Sequence, residues 1–179
     1  MLQKTHSIAG LLAAECVLAG FQQPLWTWES AAVLLLGCLA GPLADIDKPS
    51  STVAKIFFPL SFLLKMMEIR HRTLTHSILF LFIVCMLALP LPPIFFWCFV
   101  VAFASHAFID LFNEQGVELL WPLKIRFRLL PKFIAIETGS WAESVFRLIL
   151  FLLCAAILVK GILGLNGLSA PSFLLRIFA

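Results

Sequence analysis

The chain has 179 residues, of which 61% are hydrophobic and only 13% are charged, and its mean hydropathy is +1.02. A soluble domain has about 25% charged residues, so this composition excludes a soluble globular protein. It indicates an integral membrane protein with one domain, residues 1–179. The five cysteines lie inside apolar runs without metal-ligand spacing, which is typical of reduced cysteines in a hydrophobic core.

Five apolar segments follow one another along the chain, at residues 8–21, 31–43, 78–91, 94–109 and 145–165. Several are shorter than the about 20 residues that a membrane-spanning helix needs, so their helices must extend into the polar flanks. The first segment follows Lys4 as a signal peptide would, but the carboxylate of Glu15 within it and His6 ahead of it favour a retained helix. We therefore predict an all-α polytopic membrane protein with about five transmembrane helices.

Three other stretches favour positions near the membrane surface. Residues 56–67 are apolar with charged flanks, which predicts an interfacial helix lying in the headgroup plane. Residues 124–132 alternate basic and apolar side chains and are expected to contact anionic headgroups. The tail after Gly164 has the pattern of a short amphipathic segment.

The lysines and arginines predict the orientation. With a cytoplasmic N-terminus, only Lys160 and Arg176 lie on the outer side. The cytoplasmic side then holds the other eleven of the 13 basic residues, which are Lys4, Lys48, Lys55, Lys65, Arg70, Arg72, Lys124, Arg126, Arg128, Lys132 and Arg147. An excess of positive residues in cytoplasmic segments is the usual arrangement in membranes.

The histidines and several carboxylates lie at the ends of the apolar segments, and in this topology all of them reach the cytoplasmic face. They are His6, Asp45, Asp47, His71, His76, His106, Asp110 and Glu143. An ionised cluster near hydrocarbon is costly unless it is paired or bound to metal. Because one tetrahedral zinc takes four ligands, four histidines and three aspartates predict two or three metal ions at the cytoplasmic membrane face. The alternative is a purely structural polar network.

Each motif also has a simpler interpretation. His106 and Asp110 are four residues apart on one helical face, where they can share a metal or form a buried hydrogen-bonded couple. Asp45 and Asp47 precede Lys48-Pro49 and can equally form a turn.

The sequence leaves two roles open for Glu143. It stands three residues after Ser140, as in a capping box, and it can also be a metal ligand or a general base. Asn113, Glu114 and Glu118 are weaker candidates, since an amphipathic edge explains them.

Four blocks of sequence, in order, resemble the YdjM family of bacterial membrane-bound, metal-dependent hydrolases. They are Thr5-His6, Gly41-Pro42-Leu43-Ala44-Asp45-Ile46-Asp47-Lys48-Pro49-Ser50, His71-Arg72-x-x-Thr75-His76-Ser77, and Ser105-His106-x-x-x-Asp110-x-x-x-x-x-Gly116-Val117-x-Leu119-Leu120-Trp121-Pro122. The resemblance covers the chain to about Phe146. It implies that the four histidines and Asp45, Asp47 and Asp110 form the metal site, with Glu143 beside them. The family is in turn distantly similar to the zinc-dependent phospholipase C and nuclease superfamily.

The resemblance implies a metal-dependent hydrolase in the bacterial inner membrane. The depth of the site favours a phosphoester of a lipid or a lipid-linked substrate. Zinc is the expected metal and manganese the alternative. Asp47 or Glu143 is the expected general base, and Arg72 is expected to neutralise phosphate. The expected partner is an anionic phospholipid or a lipid-linked phosphate, whereas nucleic acid is not expected because the chain offers no extended soluble basic groove; no oligomeric state is indicated. The alternative function is non-enzymatic metal binding or metal transport.

The topology can be tested with reporter fusions. A fusion at Leu91 and one at the C-terminus should report the outer side of the membrane, and a fusion after Lys132 should report the cytoplasm, because of the distribution of basic residues. A cytoplasmic C-terminus would rule out five crossings.

Overall fold

The computed structural model describes residues 1–162 as a bundle of α-helices, and the predicted all-α class is confirmed. The helices are α1 (Gln3–Gly20), α2 (Trp28–Ala40), α3 (Thr52–Ile56), α4 (Phe58–Met66), α5 (Ile78–Ala88), α6 (Pro93–Asp110) and α7 (Trp141–Ile162). Two single 3₁₀ turns, Leu43–Asp47 and Leu74–His76, precede α3 and α5. The predicted amphipathic tail, Arg176 and the last three residues of the fifth apolar segment lie outside the described residues.

Three stretches are long and apolar enough to cross a membrane: Trp28–Asp47, Pro93–Asp110 and Trp141–Gly161. Helix α5 has 11 residues, which corresponds to about 16 Å, roughly half the thickness of the hydrocarbon core. Helix α1 has 18 residues but includes Lys4 and Glu15, and it is not among the three. Transmembrane helices are therefore present, while the number of five crossings stays a prediction.

Helix α1 lies at the centre of the bundle, where it packs against α2, α6 and α7. Its contact with α2 is made through glycines. A Cβ added to Gly10 would lie 2.2 Å from the carbonyl oxygen of Gly37, and one added to Gly41 would lie 2.2 Å from that of His6. Gly37 and Gly41 are four residues apart, the small-residue spacing that lets two helices in a membrane approach backbone to backbone. This close approach fixes the position of His6 relative to the end of α2.

The predicted interfacial stretch is helical but broken in two. Helix α3 ends at Ile56 and α4 begins at Phe58, because Pro59 cannot donate a backbone hydrogen bond and favours the first turn of a new helix. Leu64 is buried against the segment around Ile46, while most of the large apolar side chains of α4 are exposed. An apolar exposed face is what a helix at the membrane surface needs.

The long connection between α6 and α7, residues 111–140, folds over the end of the bundle. It contains no helix, and its backbone is held by paired hydrogen bonds between Val117 and Phe127 and by a bond from Ile136 N to Phe112 O. The amide of Glu118 also donates to the carbonyl of Arg72, at 3.0 Å. The connection is thereby joined to the segment that carries His71 and His76.

The glycine contact generates a stability test. Gly37→Val should lower the melting temperature of the purified protein, because a Cβ at this position would lie 2.5 Å from Ala14 Cβ, and such overpacking costs about 1–3 kcal/mol. Ala32→Val on the exposed face of the same helix is the matched control. Equal melting temperatures for the two variants would show that the helices tolerate a wider separation.

Candidate metal centre

The four histidines and three aspartates predicted from the sequence meet at one end of the bundle. His6 comes from the beginning of α1, the pair Asp45 and Asp47 from the 3₁₀ turn after α2, and His106 and Asp110 from the end of α6. His71 and His76 come from the segment before α5. His71 has 27% of its side chain exposed, while the side chains of the others are 0–3% exposed, so solvent reaches the cluster at His71.

Three overlapping groups of side chains have the spacing that can hold a metal ion. The groups are His6 with Asp45 and His106, Asp45 with His71 and His76, and His76 with His106 and Asp110. Within each group the ligand atoms lie within 4.8 Å of one another. Six of the eight predicted metal-site residues belong to these groups, and Asp47 and Glu143 do not.

The distances between facing atoms fit a shared ion better than direct hydrogen bonds. Asp45 Oδ1 lies 3.6 Å from His71 Nε2 and 3.6 Å from His106 Nε2, and Asp110 Oδ1 lies 3.5 Å from His6 Nε2. A separation of 3.6 Å is too long for a hydrogen bond. Two ligands that each lie about 2.1 Å from a tetrahedral zinc are about 3.4 Å apart.

Hydrogen bonds at Nδ1 orient three of the histidine rings. His106 Nδ1 donates to the carbonyl of Gly41 at 2.7 Å, and His71 Nδ1 donates to Asp47 Oδ1 at 2.8 Å. Thr75 donates its hydroxyl proton to Asp47 Oδ2 at 2.7 Å, so its oxygen accepts from His76 Nδ1 at 2.9 Å. In all three rings Nε2 is left as the acceptor atom, which is the arrangement that second-shell partners impose on metal-binding histidines.

Several buried polar atoms of the cluster have no hydrogen-bond partner among the described residues. They include both ring nitrogens of His6, Nε2 of His76, Nε2 of His106 and Oδ2 of Asp110. Unpartnered buried polar atoms are costly and rare. Burial and the neighbouring His106 also hold the pKa of His76 well below its ordinary value of 6.5, which favours the neutral ring that binds metals. The donor set therefore fits divalent metal ions.

Arg72 is buried within the cluster and contacts Asp110. Its Nε lies 3.0 Å from Asp110 Oδ2, and its guanidinium also donates to Asn113 Oδ1. The amino group of Met1 lies 2.6 Å from Asp110 Oδ1. Arg72 has a φ of 67°, a left-handed conformation that costs a residue with a side chain about 1–3 kcal/mol. Its side-chain and backbone contacts compensate for this strain.

Glu143 lies beside the cluster, and hydrogen bonds engage both of its carboxylate oxygens. Oε1 accepts from the amide of Leu2 and from the hydroxyl of Thr5, and Oε2 accepts from the amide of Gly139. Ser140 Oγ accepts from Glu143 N, which is half of the predicted capping box. These contacts join the beginning of α7 to the beginning of α1.

The sequence interpretation overlooked two residues that orient the rings, Thr75 and Gly41. Both lie inside the blocks that carry the family resemblance, but a threonine beside a histidine and a glycine at a helix end have simpler explanations as helix caps. The carbonyl of Gly41 could not have been recognised, since its contact with His106 spans 65 residues of sequence. Asn113, a weaker candidate, contacts Arg72.

The two aspartates of the 3₁₀ turn should behave differently. Asp45→Asn should reduce the number of metal ions bound per chain, because Asp45 Oδ1 faces two imidazole nitrogens. Asp47→Asn should keep the number of ions at saturating metal but weaken their affinity about 10–100-fold, the usual effect of an outer-shell change. Elemental analysis and metal titration measure both quantities.

Glu137→Gln, at an exposed position, is the matched control. We expect at least two divalent ions per wild-type chain, and fewer in His76→Ala and Asp110→Ala. A full complement of metal in Asp45→Asn after mild chelation would exclude this ligand set.

Comparison with known proteins identifies a family and several relatives of this chain. The family described as YdjM inner membrane protein matches residues 1–167. An uncharacterized protein of Bacillus subtilis, YvsG, is 29% identical over 146 residues, which cover 80% of this chain and 86% of that protein. The inner membrane proteins YdjM of Escherichia coli and of Shigella flexneri are each 30% identical over 135 residues, which cover 69% of this chain and 64% of theirs. No solved structure matches this chain. The match over residues 1–167 shows that the chain belongs to the YdjM inner membrane protein family.

Proposed function

We propose that this protein is a membrane-bound, metal-dependent phosphoesterase. The observation that supports it is the orientation of His71, His76 and His106, each of which is held at Nδ1 and has Nε2 free of a hydrogen bond with a protein donor. A polar cluster built only for stability would be expected to satisfy its own buried atoms. The position of the cluster at the end of apolar helices favours a substrate at the membrane surface.

Two ions fit the residues best. His76 and His106 each have only Nε2 free to bind an ion, so each of them can belong to only one of the three ligand groups at a time. The group of His6, Asp45 and His106 and the group of Asp45, His71 and His76 share only the carboxylate of Asp45. His6 and His106 would hold one divalent ion and His71 and His76 the other, with Asp45 available to both, and the ions would be zinc or manganese.

The reaction is hydrolysis of a phosphoester. A water oxygen bonds to phosphorus, the bond from phosphorus to the alcohol oxygen breaks, and the departing alcohol takes up a proton. Divalent ions, when bound, would lower the pKa of water and offset the negative charge of the phosphate.

The residues around the ions have separate roles in this proposal. Asp47 and Glu143, the candidate bases from the sequence, have both carboxylate oxygens engaged in hydrogen bonds, so we assign them to orienting His71 and to joining α1 with α7. Both oxygens of Asp110 also have cationic partners, the amino group of Met1 and the guanidinium of Arg72. Arg72 adds positive charge for phosphate.

Metal transport is a weaker proposal. Permeation needs polar groups along the bundle. The core along α1 beyond the site is built from apolar side chains, including Ala14, Val17, Leu18 and Val33. Glu15 is a buried carboxylate in that region, yet α1 carries no second ionisable group in the turns around it except the thiol of Cys16.

The localisation follows from the family and the distribution of charge. We place the protein in the bacterial inner membrane as a multi-pass protein, with its N-terminus and site on the cytoplasmic side. The basic side chains Lys124, Arg126, Arg128 and Lys132 are exposed on the connection that covers the site, where they would attract an anionic lipid.

Hydrolysis is tested by release of phosphate or headgroup from a panel of phospholipids and polyprenyl phosphates. The metal-loaded wild type should release product, and His106→Ala and Asp45→Asn should lose at least about a hundredfold in rate, because each removes a metal ligand. Glu137→Gln should match the wild type. The absence of release from every lipid with zinc and with manganese would favour the non-enzymatic alternative.

A further inference from the structure

An apolar crevice opens next to the metal centre, between the beginning of α5 and the end of α6. Its volume is about 200 Å³. Thr75 and His76 form one end of it, and its walls come largely from apolar side chains such as Leu81, Phe103 and Ala104. Because His76 lines the crevice and also belongs to two of the three ligand groups, the crevice is continuous with the site.

The opening of the crevice faces the apolar surface of the bundle. Ile78 and Phe108 line it and are 56% and 58% exposed. Exposed apolar side chains on helices of this composition are expected to contact lipid. A hydrocarbon chain can therefore enter from the bilayer without crossing water.

The size and lining of the crevice indicate what it holds. A site for a whole small molecule usually has about 300–1,000 Å³ and several converging polar groups. This crevice is smaller, and its polar side chains lie at the end next to the metal centre. It is suited to the first part of a hydrocarbon chain whose polar group lies at His76.

We infer that the crevice binds one acyl chain of a glycerophospholipid, with the phosphoester at the metal centre. The inference rests on the proposed function and names its substrate class. A straight acyl chain is narrower than a prenyl chain, which carries a methyl branch on each five-carbon unit, so the small volume favours the acyl chain. The chain would align the phosphoester by packing against apolar side chains such as Leu81 and Phe103.

The test is photolabelling with a phosphatidic acid that carries a diazirine in one acyl chain close to the glycerol. In detergent micelles without other lipid, the probe should label residues 78–81 and 103–111, and unlabelled phosphatidic acid should compete. Ala104→Leu and Ala107→Leu fill the crevice from its wall and should reduce labelling at least about tenfold, because the added side chains occupy the space of the acyl chain. Ala156→Leu, at an exposed position of α7, should label like the wild type.

Metal content and melting temperature show whether a variant is folded. If Ala104→Leu is not folded, Ala107→Leu is used in its place. Equal labelling in wild type and in a folded crevice variant would overturn the inference, and so would labelling by a prenyl phosphate probe in preference to the acyl probe.

A second measurement separates this inference from the proposed function. With the crevice filled, hydrolysis of long-chain phosphatidic acid should fall at least about tenfold, while hydrolysis of water-soluble nitrophenyl phosphate should be retained. Unchanged hydrolysis of the lipid by a folded crevice variant would exclude a role for the crevice. Specific labelling by a wild-type protein that hydrolyses neither substrate would overturn the phosphoesterase and leave the crevice as a lipid site.

Discussion

The backbone contact between α1 and α2 is the constraint on which the metal centre depends. It brings the carbonyl of His6 against Gly41, and the carbonyl of Gly41 in turn holds Nδ1 of His106. The same contact therefore aligns the rings of His6 and His106. These rings are stacked, with their centroids 3.5 Å apart. In a bilayer there is little hydrophobic driving force between helices, so close packing of small residues has to supply the association. A wider separation would move His6 away from the other ligands.

The cluster is buried at the end of the bundle, where charged groups are costly unless they have partners. The protein supplies those partners unevenly. Hydrogen bonds hold Asp47, Glu143 and the Nδ1 atoms of three rings, whereas the Nε2 atoms of the rings face Asp45 or Asp110 across 3.5–3.8 Å. This division fits donor atoms held in place to bind metal ions better than it fits a self-sufficient polar network. Asp110 has Arg72 beside one oxygen, so its charge is partly compensated without a metal.

The sequence predicted the fold class and the convergence of the site well, because both depend on features that act locally. Long apolar segments must become helices in lipid, and residues at alternate ends of successive helices must meet on one side. The separate roles of Asp45 and Asp47 could not be predicted, since two residues in one short turn differ only in which rings pack against them. The same is true of Glu143, whose partners Leu2 and Thr5 lie more than 130 residues away. The break at Phe57 was foreseeable from Pro59, whereas the short length of α5 depends on where the chain turns before the prolines that follow it.

Hydrolysis of a lipid requires that water and a hydrocarbon chain reach the same atoms by different routes. The exposed ring of His71 gives a polar approach from the membrane surface, and the crevice at His76 gives an apolar approach from the side of the bundle. The centroids of these two rings are 5.2 Å apart, so both routes end within one cluster. A soluble enzyme would have to lift the chain out of the bilayer, at a cost that grows with each methylene group. In the proposed function, a site at the ends of the membrane helices avoids that cost, because the chain stays in the apolar layer while the phosphoester reaches the cluster.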